Sequence, residues 1–259
     1  IHYVIIIFMF LAGTNFVLSY FAFTGKIQKI FRDNEFLTFA KFIFVFSIIV
    51  FGVLVTQVDL DTDSFHHPQV FGEIESSLRH SVFQVLAIVT TTGFVTADYT
   101  SWNSFLTVFF FGLMFLGGSA GSTSGGIKVV RHLLMIKSGV LEFKRALHPN
   151  AIIQPRYNGK VVSQEIIGNI LGFFILYMLS FIIGSLVFGL MGLDFESAIG
   201  VAASSLGNVG PAIGDFGPAS NFSQLPAIGK LWSSFLMLMG RLELFTVLIL
   251  LTPYFWNKN

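Results

Sequence analysis

The feature that most limits the fold is an apolar segment, residues 76–89, which is too short to cross a bilayer and leads into Thr-Thr-Thr-Gly. As a helix, its roughly 14 residues would be about 21 Å long, whereas a hydrocarbon core of about 30 Å needs about 20 residues. A helix that stops part-way is tolerated only where its free backbone lines a cavity or is buried in protein. Hydroxyl and carbonyl oxygens at that point suit a hard cation that has shed its water. We therefore predict a re-entrant half-helix followed by an ion-coordinating stretch.

The composition places this segment in a membrane protein. Of the 259 residues, 54% are hydrophobic and 11% are charged, against about 25% charged residues in soluble domains. The chain has no cysteine, which excludes disulfides, thiolate metal sites and cysteine nucleophiles. It begins inside an apolar run that no basic segment precedes, so a signal peptide is not indicated. We expect the chain to be a fragment of a longer protein.

Five apolar segments are long enough to cross the membrane and two are not. The long ones are residues 3–23, 36–58, 105–116 with a continuation, 161–193 and 228–256. The short ones are residues 76–89 and 195–206, and each lies between two long ones. The order span, half-helix, span therefore occurs twice.

Loop charges predict the orientation. Lysine and arginine dominate the loops at 26–41 and 128–160, whereas acidic residues dominate around the half-helices, as at 59–63. By the positive-inside rule the basic loops are cytoplasmic. Both half-helices then enter from the outside of a multi-pass plasma (inner) membrane protein. His66 and His67 lie in the acidic loop, and we interpret them as a solvated turn rather than a metal site.

An internal repeat predicts the architecture. Residues 8–13, 113–118 and 236–241 read FMFLAG, LMFLGG and LMLMGR. The first half-helix ends in Thr-Thr-Thr-Gly and the second in Ser-Ser-Leu-Gly, which share the order hydroxyl, hydroxyl, any residue, glycine. The predicted fold is all-α, with helix–pore loop–helix units around a central pore. The domains are 1–25, the inner helix of a preceding repeat, then two complete units at 26–140 and 141–259.

The two glycine-containing ends are the predicted ion-binding filter. A half-helix whose C-terminus points at the pore axis places partial negative charge there. Gly93 and Gly207 are expected to be left-handed, because glycine enters that region freely and then lets successive carbonyls face one way. The alternative is a pair of buried half-helices with ordinary turn glycines. The predicted ion-binding residues are Thr90, Thr91, Thr92, Gly93, Ser204, Ser205, Leu206, Gly207 and Asn208.

The stretch 117–128, GGSAGSTSGGIK, interrupts what would be a long inner helix. Each glycine costs a helix about 1 kcal/mol, so we predict a flexible gate beneath the coordinating residues. The alternative is a site where helices pack closely, which small residues also favour. A phosphate-binding loop is excluded because Ile127 separates the last glycine from Lys128. The predicted gate glycines are Gly117, Gly118, Gly121, Gly125 and Gly126.

Arg241 completes the predicted gate. It lies within the last apolar segment, where an arginine costs about 2.5–3.5 kcal/mol even on lenient insertion scales. It is expected to act as a positive barrier to cations or to anchor the Gly-rich loop through its serines and carbonyls. An ion pair with Glu243 is the competing interpretation, but residues two apart point to different helix faces.

These motifs resemble the pore-forming subunits of the Trk/Ktr/HKT superfamily of potassium transporters. The resemblance rests on the Thr-Thr-Thr-Gly-Phe run at 90–94, the Gly-rich run at 117–128 and the Gly240-Arg241 pair, and it covers the whole chain. It implies potassium uptake, with K⁺ at the filter residues, through four units that surround one pore. Here the chain matches the last two units and the final helix of the second. The gating loop of the third unit falls on 117–126, and the arginine of the fourth unit on Arg241.

The resemblance also implies two partners that the motifs themselves do not indicate. They are a cytosolic nucleotide-binding regulatory subunit ring and a second copy of the chain in a homodimer. One departure from a uniform filter is that Asn208-Val209-Gly210-Pro211 follows the second motif where Phe94-Val95-Thr96 follows the first. We expect no bound cofactor, since K⁺ is the transported ion, and we expect no nucleic-acid partner.

Two other functional classes compete with a channel-like transporter. A secondary transporter linked to sodium or protons also uses broken helices that meet in the membrane. Inverted repeats would place successive units in opposite orientations across the membrane. Here the loop charges predict the same orientation for both units. A membrane enzyme would need paired acids, a histidine cluster or an activated nucleophile at membrane depth. None appears in the sequence, so we do not expect an enzyme.

Overall fold

The computed structural model describes residues 1–58, 72–148, 154–242, 244–250 and 252–256. The predictions for the acidic residues 59–63, for His66 and His67, and for Glu243 therefore lie outside the described residues.

Helices account for almost all of the regular structure, as the predicted all-α class requires. They are α1 (His2–Gly13), α2 (Phe16–Phe23), α3 (Asn34–Gln57), α4 (Glu73–Val89), α5 (Tyr99–Trp102), α6 (Ser104–Leu113), α7 (Val129–Leu147), α8 (Gln164–Leu190), α9 (Phe195–Gly207), α10 (Ala227–Arg241), α11 (Leu244–Leu250) and α12 (Pro253–Trp256). Short 3₁₀ turns lie at Ile27–Lys29, Gly214–Phe216 and Phe222–Gln224. One small antiparallel hairpin pairs β1 (Arg156–Tyr157) with β2 (Lys160–Val161).

Among the residues described, only α3 and α8 are single helices that are long and apolar enough to cross a membrane. The first and last predicted spans are instead broken. The α1–α2 pair bends by 114° and the α10–α11 pair by 117°. After α1, Thr14 is extended and the Asn15 side chain caps the start of α2 by accepting from the Val17 N–H, which restarts the helix in a new direction. The apolar segments 3–23 and 228–256 are therefore bent helix pairs, and each passes the length and hydropathy test for a span only when its two helices are taken together.

The third inner segment is broken as well. Helix α6 ends at Leu113, and the chain is irregular until α7 begins at Val129. The breaks in all three inner segments fall at the repeated hexamer, since α1 ends with the first copy, α6 ends at the start of the second, and α10 ends with the third. The repeat thus marks the place where each inner helix stops.

The two predicted half-helices are present and buried. Helix α4 begins three residues before the predicted start, at Glu73, and its last turn from Val85 to Val89 is almost entirely inaccessible. It packs against α1, α3 and α6. Helix α9, capped by the Asp194 carboxylate, packs against α8 and α10. Each half-helix therefore packs against helices on several sides, while the unit boundaries at 25/26 and 140/141 remain predictions.

Two apolar clusters surround these half-helices. The cluster around α4 contains the fully buried Phe39, Phe83 and Phe110, and the cluster around α9 contains Phe188 and Leu206. Many large apolar side chains on the outer helix faces are exposed, as expected for a surface that faces lipid. The C-terminal turns of both half-helices are consequently buried among apolar side chains.

Candidate functional site

The segment after α4 turns sharply at two left-handed residues. Thr90 closes the helix, with both its N–H and its hydroxyl donating to the Leu86 carbonyl at 2.8 and 2.6 Å. Thr91 has φ +53° and Gly93 has φ +68°. Between them, the Thr92 N–H donates back to the Ala87 carbonyl at 3.0 Å. Gly93 is therefore left-handed, as predicted.

The segment after α9 has the same geometry, three residues later than the sequence alignment placed it. Asn208 has φ +55° and Gly210 has φ +111°. The Val209 N–H donates to the Ser204 carbonyl five residues earlier at 2.9 Å, as the Thr92 N–H donates to Ala87. Thr91, Thr92 and Gly93 thus correspond to Asn208, Val209 and Gly210.

This correspondence corrects the predicted alignment of Gly93 with Gly207. Gly207 is the last residue of α9 and is not left-handed. A glycine is needed there for a different reason, because an added Cβ would lie 2.8 Å from the Met114 carbonyl oxygen. The predicted residues Ser204, Ser205 and Leu206 lie within α9 rather than in the extended stretch.

The contacts of these three residues are internal. The Ser204 hydroxyl donates to the Gly210 carbonyl at 2.8 Å and accepts from the Gly210 N–H at 3.2 Å. Ser205 pairs with the Ser233 hydroxyl, and the Leu206 side chain is fully buried. Ser204 therefore positions Gly210, whereas Ser205 and Leu206 hold α9 to its surroundings.

The two left-handed glycines lie against each other. A Cβ added to Gly93 would stand 2.7 Å from the Val209 carbonyl oxygen and 3.6 Å from the Gly210 Cα. A Cβ added to Gly210 would stand 3.4 Å from the Gly93 Cα. The Tyr99 hydroxyl ties the two segments together by donating to the Ala212 carbonyl at 2.8 Å. The structure thus brings the two extended stretches side by side.

A buried polar network, which we did not predict from the sequence, supports the first stretch. Gln84 on α4, whose side chain is inaccessible, donates to the Ala97 carbonyl at 3.0 Å and to the Thr96 hydroxyl at 3.4 Å. His80 lies 3.1 Å from the same hydroxyl. A polar residue inside an apolar run was the available signal, since a buried amide needs partners.

The Gly-rich loop is folded on itself. The Gly117 N–H donates to the Ile127 carbonyl at 2.9 Å, and the Gly118 N–H to the Ser124 hydroxyl at 2.8 Å. A Cβ on Gly117 would lie 2.2 Å from the Gly125 carbonyl oxygen, so the two ends of the loop touch through glycines. Two other predicted gate glycines, Gly121 (φ +73°) and Gly126 (φ +64°), have a left-handed backbone that turns the chain.

This loop lies directly against both extended stretches. The Gly125 N–H donates to the Thr91 hydroxyl at 2.7 Å. A Cβ on Gly125 would stand 2.3 Å from the Gly207 carbonyl oxygen. Gly125 therefore contacts one end of each half-helix, which links the predicted gate to the predicted filter.

Two cations hold the middle of the loop. Arg241 Nη1 donates to the Thr123 carbonyl at 2.6 Å, and Lys128 Nζ donates to the Ser122 and Ser124 carbonyls at 3.3 and 2.5 Å. Three successive carbonyl oxygens thus accept hydrogen bonds from two basic side chains. The adjoining cavity of about 220 Å³ is lined by these groups, by Arg131 and by Gly240. Among the described residues that line it, the charged ones are all basic.

Comparison with known proteins matches almost the whole chain. A family model described as TrkH, a cation transport protein, matches residues 1–257. The Trk system potassium uptake protein TrkH of Escherichia coli (strain K12) is 36% identical over 260 residues, covering 100% of this chain and 51% of that protein. That of Salmonella typhimurium is 35% identical over 259 residues, with the same coverage. The chain spans about half the length of these curated relatives.

The fold matches as well. The crystal structure of the potassium transporter TrkH from Vibrio parahaemolyticus superposes with a TM-score of 0.88 at 32% sequence identity. The match covers 99% of this chain and 53% of that one.

Proposed function

Because the chain belongs to the TrkH family of cation transport proteins, we propose that it forms part of a potassium-uptake pore in the membrane. The observation that carries the proposal is the contact between the left-handed glycines Gly93 and Gly210, with the Gly-rich loop against both stretches. Two backbone segments that meet at the ends of half-helices offer carbonyl oxygens where the helix dipoles favour a cation.

In this proposal the ion contacts are backbone oxygens of the corresponding residues. Thr92 and Gly93 supply them from the first unit, and Val209 and Gly210 from the second. Thr90, Thr91 and Asn208 were predicted from the sequence as ion-binding residues. In this proposal they form the turns that orient those oxygens. The other half of the ring belongs to units outside this chain.

The Gly-rich loop acts as the gate. It touches the filter at Gly125 and is held by Arg241 and Lys128. Basic side chains around the cavity beneath it raise the local positive potential, which opposes cation passage. Displacement of the loop would move these contacts away from the ion path.

We also propose the wider setting that the resemblance implies. The basic loops face the cytoplasm of a plasma-membrane protein, a second copy completes a homodimer, and a nucleotide-binding subunit ring regulates the gate from the cytosol. The names of the matched relatives, which describe a Trk system for potassium uptake, support the transported ion.

Substitution of Gly93 tests the filter. We expect Gly93→Ser in the full-length protein to lower the potassium-to-sodium permeability ratio, because a side chain at φ +68° is strained and would meet the Val209 carbonyl at 2.7 Å. The ratio is measured from reversal potentials in reconstituted bilayers. Gly52→Ser is the matched control, since an added Cβ there meets no atom within 4 Å. An unchanged ratio in Gly93→Ser would sink the filter assignment.

Removal of Arg241 tests the gate. We expect Arg241→Ala to raise potassium flux several-fold, because the Thr123 carbonyl loses its charged donor and the cavity loses a positive charge. Isotope uptake into vesicles measures this, with Arg145→Ala, a partly exposed arginine on α7 away from the loop, as the control. Loss of folding with no gain in flux would assign Arg241 a purely structural role.

A further inference from the structure

Glu35 is a buried carboxylate next to the Gly-rich loop. It lies in the basic loop region 26–41, and such loop charges are ordinarily solvated, yet its side chain is only 3% exposed. It occupies the first turn of α3, where Asp33 is the N-cap. A carboxylate that leaves water must find hydrogen-bond donors, so its partners identify what it does.

Its partners lie at both ends of the loop. Glu35 Oε1 accepts from the Ala120 N–H at 2.5 Å, across 85 residues of sequence. The Val130 N–H, in the first turn of α7, also donates to this carboxylate. Lys128 occupies the N-cap of α7, and a lysine side chain has no acceptor for the free N–H groups of a helix start. Glu35 therefore supplies from α3 the acceptor that the α7 cap lacks.

A third partner comes from the hairpin. The Tyr157 hydroxyl donates to Glu35 Oε2 at 3.4 Å. Burial raises the pKa of this hydroxyl above its usual value, so it stays a proton donor. Asn158 fixes the hairpin to the start of α3, since its amide donates to Asp33 Oδ2 and its Oδ1 accepts from the Asn34 N–H, both at 2.8 Å.

We infer that Glu35 is a positioning residue for the gate, which holds the Gly-rich loop against the filter by binding Ala120, the start of α7 and the hairpin together. The inference rests on the proposed role of the loop as a gate. It adds a second anchor, distinct from Arg241: Arg241 binds the middle of the loop at Thr123, whereas Glu35 binds near its two ends. Movement of the hairpin at Tyr157 would then shift the Glu35 carboxylate and, with it, the Gly-rich loop at Ala120.

Two substitutions of Glu35 in the full-length protein test this. Glu35→Ala leaves the Ala120 and Val130 N–H groups without their acceptor, and we expect potassium flux into reconstituted vesicles to rise about fivefold or more. Glu35→Gln keeps one carbonyl oxygen for Ala120, and its amide can donate to the Tyr157 oxygen, so we expect flux within about twofold of the unsubstituted protein. The potassium-to-sodium permeability ratio should be unchanged in both, because Gly93 and Gly210 are not touched. Glu142→Ala, on the exposed face of α7, is the control.

The possible outcomes separate the hypotheses. Normal amounts of folded Glu35→Ala protein with unchanged flux would overturn the inference, as would equal flux in Glu35→Ala and Glu35→Gln. If Glu35→Ala does not fold, Tyr157→Phe, which removes only the hydroxyl, must raise flux in the same direction or the inference is overturned. Absence of potassium uptake by the unsubstituted protein would instead refute the proposed function.

Discussion

Thr91 adopts a left-handed backbone conformation that β-branched residues rarely take. With φ +53° it carries strain of about 1–3 kcal/mol, whereas the corresponding residue of the second unit is Asn208, which tolerates this region more easily. The Thr91 hydroxyl accepts from the Gly125 N–H at 2.7 Å. The strained residue is thus the one that bonds to the Gly-rich loop, at the contact between the proposed filter and the proposed gate.

The three-residue shift between the units is tested by two glycines. We expect Gly210→Ser to lower the potassium-to-sodium permeability ratio as Gly93→Ser does, because Gly210 is left-handed and faces Gly93. We expect Gly207→Ala to reduce the yield of folded protein instead, since its Cβ would crowd the Met114 carbonyl. Reversal potentials and size-exclusion profiles distinguish the two. A selectivity change in folded Gly207→Ala with none in Gly210→Ser would restore the original alignment.

The sequence was sufficient to predict Gly93 but not Gly210. The order hydroxyl, hydroxyl, any residue, glycine matched the first unit to Ser204–Gly207 by residue type alone. What decides the register is where each half-helix ends, and α9 continues through Gly207. Helix ends are set by capping and by close contacts such as that with Met114, which residue types in one segment do not reveal.

At the scale of elements, the lengths of the apolar segments predicted the two half-helices. They did not predict the breaks in the inner helices. An apolar segment too short for the bilayer has few solutions. The longer apolar segments satisfied the length requirement, so nothing in their hydropathy required a bend. The polar residues at the first break, Thr14 and Asn15, were a local signal, because Asn is a favoured N-cap and here it starts α2.

Gln84 links the half-helix to the chain that follows the filter, and its removal should loosen that link. We expect Gln84→Leu to lower the free energy of unfolding by about 1–3 kcal/mol, because the buried Thr96 and Ala97 groups lose a donor. Thermal denaturation followed by fluorescence-detected size exclusion measures the effect. The exposed Gln164→Leu at the start of α8 is the control. Equal stability of the two variants would show that this network does not support the filter.

At the scale of the whole molecule, long-range contacts decide which charged side chains are buried and bonded. Loop charge predicted an orientation, but Glu35 could not be separated from its solvated neighbours, because its partners at 120, 130 and 157 are far away in sequence. Arg241 could be singled out, since a charge inside an apolar segment is costly wherever it lies. The sequence therefore identified Arg241, which is isolated in an apolar segment, and did not identify Glu35, which is buried only by folding.

The described residues bring two half-helix ends side by side, as two adjacent sides of the proposed ion site. Its two apolar clusters each enclose one half-helix, and the Gly-rich loop crosses between them at Gly125. The matched relatives are about twice as long. We propose that an ion is bound where the Gly93 and Gly210 stretches meet, above that loop.

Location of the ion tests this claim most directly. Crystals of the full-length protein grown with Rb⁺ or Tl⁺ in place of K⁺ give an anomalous signal from the ion itself. We expect the strongest peak between the two stretches, in contact with backbone oxygens of Gly93 and Gly210. A strongest peak elsewhere, for example in the cavity of about 320 Å³ lined by Ser204, Ser233 and Lys230, with none between the two glycines, would contradict the account.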